Sequence, residues 1–240
     1  TGGRRCTRRG RQGVGKGDAA AQKVISEFVA MSAQLSGATE PQQQGNLLKA
    51  MQKAGIPKRY YGCSFEALSK NGCPEDVRPM AMEAYKYASH IKANAAAGKG
   101  LLFFGEVGRM KTTLVVCIAC EALRQGLGVH FISMPELLDT MISISRNRDN
   151  SELRKFEERI KNVTLLILDD FGAEYPRDWV LNKVDAIITN RYNNMKPVII
   201  TTNMLPNEIK ERYVQRVYDR LRSTSKILGT YGDSLRKAAE

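Results

Sequence analysis

No apolar run in this sequence approaches the roughly 20 residues needed for a membrane-crossing helix. The longest apolar stretches, around Leu101 and Leu165, have the length of strands, so no membrane partner is expected. The Arg-rich first residues are not followed by an apolar segment. A secretory signal is therefore not expected, and a cytoplasmic location is. Histidine is scarce: His90 and His130 lie far apart, which gives no basis for a histidine-rich metal site. Close pairing is also missing among most of the five cysteines. Cys6 stands alone, and Cys63 and Cys73 lack zinc-site spacing. Cys117 and Cys120 have C-x-x-C spacing, but they sit inside LVVCIACEAL. A buried helix face accounts for them better than metal or redox chemistry. Acidic residues are absent from positions 1–17, which hold Arg4, Arg5, Arg8, Arg9, Arg11 and Lys16.

What is present is the composition of a soluble globular protein, 42% hydrophobic and 26% charged. The net charge is +12, from 37 basic and 25 acidic residues, and half of that excess belongs to the first 17 residues. That segment reads as a basic disordered tail, able to touch nucleic acid without sequence preference or serving only for solubility. Residues 18–55 read as an N-terminal helical segment and linker. A helical pattern runs from Asp18 to about Leu35, SGATEPQQQGN (36–46) reads as linker, and a second helical piece ends before Gly55-Ile56-Pro57. From 56 to 240 strands and helices alternate. The pattern predicts strands at 101–104, 129–133, 163–168 and 197–202 and near Ile227. It predicts helices at 79–97, 111–125, from Pro135, at 152–161 and at 177–193, with two short ones before the last strand. Fully apolar strands alternating with helices predict an α/β fold whose parallel sheet is covered by helices on both faces.

Two segments compete as a phosphate-binding loop. Gly10 to Gly17, GRQGVGKG, has glycines before a lysine, but no strand precedes it. Gly17 also stands where a hydroxyl is needed to hold magnesium. The second is Gly105-Glu106-Val107-Gly108-Arg109-Met110-Lys111-Thr112-Thr113, which follows the strand LLFF and opens the helix TTLVVCIACEAL. In that context backbone N–H groups and a helix N-terminus face the phosphates, Lys111 reaches the β- and γ-phosphates, and the Thr112 hydroxyl ligates Mg²⁺. Met110 is the departure, since glycine is expected there. If the position needs a positive φ, the side chain costs about 1–2 kcal/mol and weakens ATP binding.

LLILDDFGAE places Asp169 and Asp170 at the carboxyl end of an apolar strand, the edge at which parallel sheets bind ligands. Asp169 is expected in the Mg²⁺ shell, and Asp170 is expected to orient or deprotonate the attacking water. Adjacent buried carboxylates are unfavourable as a purely structural device. A further strand, VIITTN, ends in Asn203, whose amide suits the positioning of the lytic water.

With GIPKRYYGCSF before them, and RVYDRL and GDSLR after them, these motifs resemble the DnaC/DnaI helicase loaders and the related IstB transposition ATPases, within the AAA+ class. The resemblance runs from about Ile56 to Arg236. It implies an AAA+ ATPase core and an ATPase reaction with ATP and Mg²⁺. By resemblance Asn203 is sensor 1, Arg220 is the arginine finger offered to a neighbouring subunit, Arg216 accompanies it, and Arg236 is sensor 2. The clade's position for single-stranded DNA falls on Arg146, Arg148, Arg154 and Lys155, where a solvated helix face is an equal reading. The implied function is loading of a replicative helicase in DNA replication by a homo-oligomer formed on ATP or DNA. An IstB-like transposition helper, a nucleotide-binding scaffold with weak hydrolysis and an NTPase unrelated to DNA are the alternatives. The segment before Ile56 departs from loaders that carry a cysteine-rich zinc domain there.

Overall fold

Runs such as LLFF, LLIL and VII are apolar on both sides of the pleat, and each becomes an inner strand of a sheet covered on both faces. The computed structural model describes residues 40–146, 150–174, 178–232, 234 and 235. The helical pattern of 18–35, the decoy loop at 10–17, Arg148 and Arg236 lie outside the described residues. In chain order the elements are α1 (Glu40–Lys53), a 3-10 turn (Lys58–Tyr60), α2 (Phe65–Asn71), α3 (Arg78–Ser89), α4 (Ile91–Ala96), β1 (Gly100–Gly105), α5 (Lys111–Arg124), β2 (Val129–Ser133), α6 (Met134–Arg146), α7 (Asn150–Asn162), β3 (Leu165–Asp169), α8 (Asp178–Asn193), β4 (Val198–Thr202), α9 (Pro206–Arg212), α10 (Gln215–Thr224) and β5 (Ser225–Thr230). The five strands are all parallel and lie in the order β2-β3-β4-β1-β5. β4 is thus inserted between β1 and β3. That insertion brings the carboxyl ends of β1, β3 and β4 side by side.

Two buried clusters cover the faces. One joins Met51, Ile56, Phe65, Tyr85, Leu101, Phe103, Leu114 and Ile118. The other joins Leu102, Leu137, Ile160, Leu166, Phe171, Ile187, Ile200 and Leu221. Cys117 and Cys120 are buried in the first cluster as free thiols, and burial raises both pKa values, that of Cys120 to about 11. A thiol held protonated in an apolar wall is a packing group. The helix-face reading of this C-x-x-C therefore stands.

Two elements differ from the sequence pattern. Residues 40–46, expected as linker, form the first half of α1. Gln42, Gln43 and Gln44 are good helix formers, and Leu47, Met51 and Ala54 recur at helical spacing to pack on the first cluster. Polar composition alone disguised this helix as a loop. The single helix expected over 79–97 is broken at His90, whose backbone has φ −116° and ψ 29°. There Asn94 Nδ2 donates to Tyr87 O at 3.0 Å and Ser89 Oγ donates to Tyr85 O at 2.9 Å. Side chains thus take carbonyls that a continuous helix would use.

Two buried polar residues tie α7 to the sheet. Arg191, fully buried, donates to the carbonyls of Ile160 (2.9 Å), Lys161 (3.3 Å), Thr164 (3.2 Å) and Pro197 (2.8 Å). Its charge sits on the C-terminal turn of α7, where the helix dipole favours a cation. His130, in β2, packs edge to face on Phe156 of α7. Burial, followed by the nearby Arg159 charge, lowers its pKa from 6.5 to about 4. A histidine held neutral in the folded state contributes fully above its unfolded pKa, and that contribution is lost as pH falls from about 6.5 toward 4. His130→Phe should therefore flatten the fall in melting temperature between pH 6.5 and 4. Parallel melts of the two proteins, differing by a constant amount across that range, would exclude His130 as the titrating group.

Candidate functional site

The β1–α5 connection is shaped by its glycines. Gly105 has φ 133°, and a Cβ there would lie 1.9 Å from Thr230 O of the adjacent β5. Gly108 has φ 82°, and a Cβ there would lie 2.1 Å from Ser234 Oγ. Both positions therefore need glycine. Met110 adopts φ 61°, ψ 11°, the left-handed conformation supposed from the sequence. Its side chain is half-buried and packs against the first cluster. It is also the N-cap of α5 and supplies no side-chain bond to the helix, whose first turn holds no acidic residue. The first N–H groups of α5 thus lack a side-chain acceptor from the cap and suit an anion.

Met110 already holds the left-handed geometry, so the strain falls on folding rather than on ligand binding. Met110→Ala keeps the unfavourable φ and loses the packing, whereas Met110→Gly relieves the φ. Denaturant unfolding should rank glycine above alanine by about 1 kcal/mol, with ATP affinity changed little between the two. Alanine equal to or above glycine would show that the loop carries no strain at this position.

Lys111 is buried and donates to Gly105 O (2.7 Å), Glu106 O (2.8 Å) and Asn203 Oδ1 (2.8 Å). The loop lysine of β1 and the amide at the end of β4 are therefore in direct contact. A phosphate entering the loop competes with neutral acceptors for a full positive charge, an exchange that favours the phosphate. Thr112 Oγ1 donates to Asp169 Oδ1 (3.0 Å) and Oδ2 (3.2 Å), joining the start of α5 to the end of β3. Asp170 is exposed, with φ 52°, and its N–H donates to Thr201 Oγ1 at 3.0 Å. Thr201 in turn donates to Asp169 Oδ1 at 2.5 Å.

Desolvation raises the Asp169 pKa, opposed by hydrogen bonds from Thr201 and Thr112 and by the Lys111 charge, while Asp170 adds to the rise. A divalent cation would favour the ionised carboxylate and relieve that desolvation. The chemistry of the pair fits Mg²⁺: one carboxylate and one hydroxyl, with phosphates and water completing the shell, is the usual pattern for a nucleotide-bound magnesium. Thr112 and Asp169 are the residues that would hold it.

Thr201 was not legible as a site residue. It is fully buried and holds Asp169 by its hydroxyl and Asp170 by its backbone. Its signal was a pair of hydroxyl residues closing an otherwise apolar strand in VIITTN. The second, Thr202, donates to Phe171 O at 2.6 Å and accepts from Met204 N–H at 3.0 Å, fixing the loop after β3 to the end of β4. Glu174, the last residue of LLILDDFGAE, is buried and accepts from Gly172 N–H (3.0 Å) and the Tyr213 hydroxyl. Phe171 stacks on Tyr213 with centroids 4.6 Å apart. The acidic motif is thereby anchored to the junction of α9 and α10.

The remaining loop residues have different partners. Arg109 is buried and its guanidinium pairs with Asp76, which ties the loop to the segment before α3. Glu106 Oε2 accepts from Gly232 N–H at 3.1 Å, and Leu235 N–H donates to Gly108 O at 3.3 Å. The chain after β5 therefore lies across the loop. Val107 is exposed. Arg220 and Arg216, on α10, do not join the Lys111 cluster and converge on Asp185 of α8 instead. Arg154 and Lys155 are exposed on α7, and neither has an ion-pair partner among the described residues. Arg146 ends α6.

The sequence model of the family described as IstB-like ATP binding protein matches residues 86–240. A replicative helicase loader DnaC from Buchnera aphidicola (subspecies Baizongia pistaciae) is 23% identical over 186 residues, covering 77% of this chain and 74% of that protein. The replicative helicase loader DnaI of Bacillus subtilis is 26% identical over 117 residues, which span 48% of this chain and 37% of that loader's length. Among solved structures, the crystal structure of the DnaC helicase loader superposes with a TM-score of 0.62 at 26% identity, covering 72% of this chain and 99% of that one. The five-stranded parallel sheet with flanking helices is the AAA+ fold of these structures.

Proposed function

Because this chain belongs to the family of IstB-like ATP-binding proteins, we propose that it hydrolyses ATP with Mg²⁺ and loads a replicative helicase, acting as a homo-oligomer on single-stranded DNA. The observation that carries the ATPase part is the cluster at the carboxyl ends of β1, β3 and β4: Lys111 on Asn203, and Thr112 on Asp169. In this reading Lys111 meets the β- and γ-phosphates, and Thr112 and Asp169 hold the metal. Asp170 and Asn203 align a water on the γ-phosphorus. That water forms the new P–O bond as the bond to the β-phosphate oxygen breaks, and ADP leaves with the electron pair. Arg220 of a neighbouring copy supplies the missing positive charge, and Arg236 closes over the nucleotide of its own subunit.

The loader part rests on likeness to DnaC over most of both chains. In this reading the exposed Arg154 and Lys155 of α7 track the DNA backbone, with Arg146 and Arg148 preceding them in the sequence. The second reading, an IstB-like transposition helper acting beside a transposase, is supported by the match to the model of IstB-like ATP-binding proteins. One experiment separates the two. The tagged chain is expressed in its native cells and cross-linked with ATP present, and its bound proteins are identified. A replicative helicase supports the loader reading, and a transposase replaces it with the helper reading. Steady-state ATP turnover with and without single-stranded DNA tests the hydrolysis; no phosphate release under either condition would leave a nucleotide-binding scaffold.

A further inference from the structure

A second charge group is organised by packed helices away from the Lys111 cluster. Asp185, near the middle of α8, is only 9% exposed. Its carboxylate accepts from Arg216 Nε (2.8 Å) and Nη2 (2.5 Å) and from Arg220 Nη1 (3.2 Å). Thr189, one helical turn on, accepts from Arg220 Nη1 at 2.6 Å and donates to Asp185 Oδ1 at 3.3 Å. The Arg220 guanidinium also lies 5.8 Å from the Tyr192 ring centroid.

The arrangement is unequal in two ways. Two guanidiniums share a single carboxylate, which leaves one positive charge in excess within this group. The Arg216 fork engages the carboxylate with two nitrogens, while Arg220 commits only Nη1. The Nε and Nη2 atoms of Arg220 have no acceptor among the described residues, and its side chain is one-quarter exposed. A rigid guanidinium with two donors to spare, on a locally positive surface, fits a tetrahedral anion. Arg220 is fixed by Asp185, Thr189 and Tyr192 of α8, a different set of groups from Gly105, Glu106 and Asn203, which hold Lys111, and from Asp169, which holds Thr112.

We infer that Asp185, with Thr189, is a positioning residue that fixes Arg220 as the receiver for the terminal phosphate of ATP bound on a second copy of this chain. The inference rests on the shared-site reading above and adds to it the groups that hold the arginine in place. A long arginine side chain free in solvent samples many rotamers. Anchoring one nitrogen to a buried carboxylate and a hydroxyl removes most of that search before the subunits meet, so the donors arrive preorganised.

The test measures turnover at saturating ATP and affinity for a fluorescent ATP analogue in the full chain. The concentration is one at which wild-type turnover has stopped rising, and Arg220→Ala serves as the reference. Asp185→Asn should lower turnover 10- to 100-fold with affinity within twofold of wild type. Thr189→Val, close in volume, should lower turnover several-fold in the same way. Mixing Asp185→Asn with Lys111→Ala should restore turnover, because the first keeps its nucleotide loop and the second keeps its arginine group intact. A merely structural role for Asp185 predicts no such rescue. Should Asp185→Asn fail to fold by circular dichroism, Thr189→Val with a wild-type melt decides the matter. Loss of turnover in Arg220→Ala beside unchanged turnover in Asp185→Asn and Thr189→Val would overturn the positioning role and leave the shared site standing. Full turnover in Arg220→Ala would overturn the shared site itself.

Discussion

Lys111→Ala is expected to weaken ATP binding by about 10²–10⁴-fold. In the structure Nζ donates to Gly105 O, Glu106 O and Asn203 Oδ1. None of them carries a full charge, so the lysine is poised to exchange them for phosphate oxygens. Hydrogen bonds to charged groups contribute roughly 1.5–3 kcal/mol each, and two such bonds correspond to the range given at about 1.4 kcal/mol per decade. Arg109 does not replace it, because its guanidinium is committed to Asp76. Titration calorimetry with ATP and Mg²⁺ measures the loss, and circular dichroism checks that the variant folds. Affinity within threefold of wild type would place the nucleotide elsewhere, and the Gly10–Lys16 segment would then be the first position to examine.

How much of this site the sequence disclosed depends on how local each signal was. The loop at 105–113 and the acid pair at 169–170 each follow a strand whose apolar run is unmistakable, so their places at the sheet edge followed from parallel topology. Contact between Lys111 and Asn203, 92 residues apart, depends on β4 entering the sheet between β1 and β3. No local pattern specifies that insertion; only the order of motifs shared with a family suggested it. Thr201 escaped notice for a related reason. A threonine in a strand reads as ordinary β-propensity, and only the register that sets Leu168 beside Ile200 puts its hydroxyl against Asp169. Asp185 was invisible because one acidic residue within a helix is usually solvated. Its burial comes from the docking of α10 on α8. The misread linker at 40–46 is the converse case: a polar stretch became helix because Leu47, Met51 and Ala54 beyond it found a face to cover.

Arg220→Ala should leave nucleotide affinity nearly unchanged and remove turnover. Arg220 is on α10, held by Asp185 and Thr189 of α8, whereas Lys111, Thr112 and Asp169 are joined to one another through β1, β3 and β4. A single subunit therefore brings only Lys111 as a side-chain cation to the phosphates from its nucleotide loop, and charge developing on the transferring phosphoryl group goes partly unmatched. An arginine supplied by a neighbour is worth about 10³–10⁵ in rate in other phosphoryl-transfer systems. Dependence on a neighbour has a second signature, since specific activity should rise with protein concentration, and with single-stranded DNA if DNA gathers subunits. Mixing Arg220→Ala with Lys111→Ala should return part of the activity. The first variant holds ATP, the second offers an intact Arg220, and only interfaces pairing them in that order are complete. The partial recovery should grow as the Lys111→Ala share rises, then decline once ATP-holding subunits become limiting. Turnover independent of concentration, together with full activity in Arg220→Ala, would mean that each subunit completes its own site, and the excess charge on α10 would then need another anion.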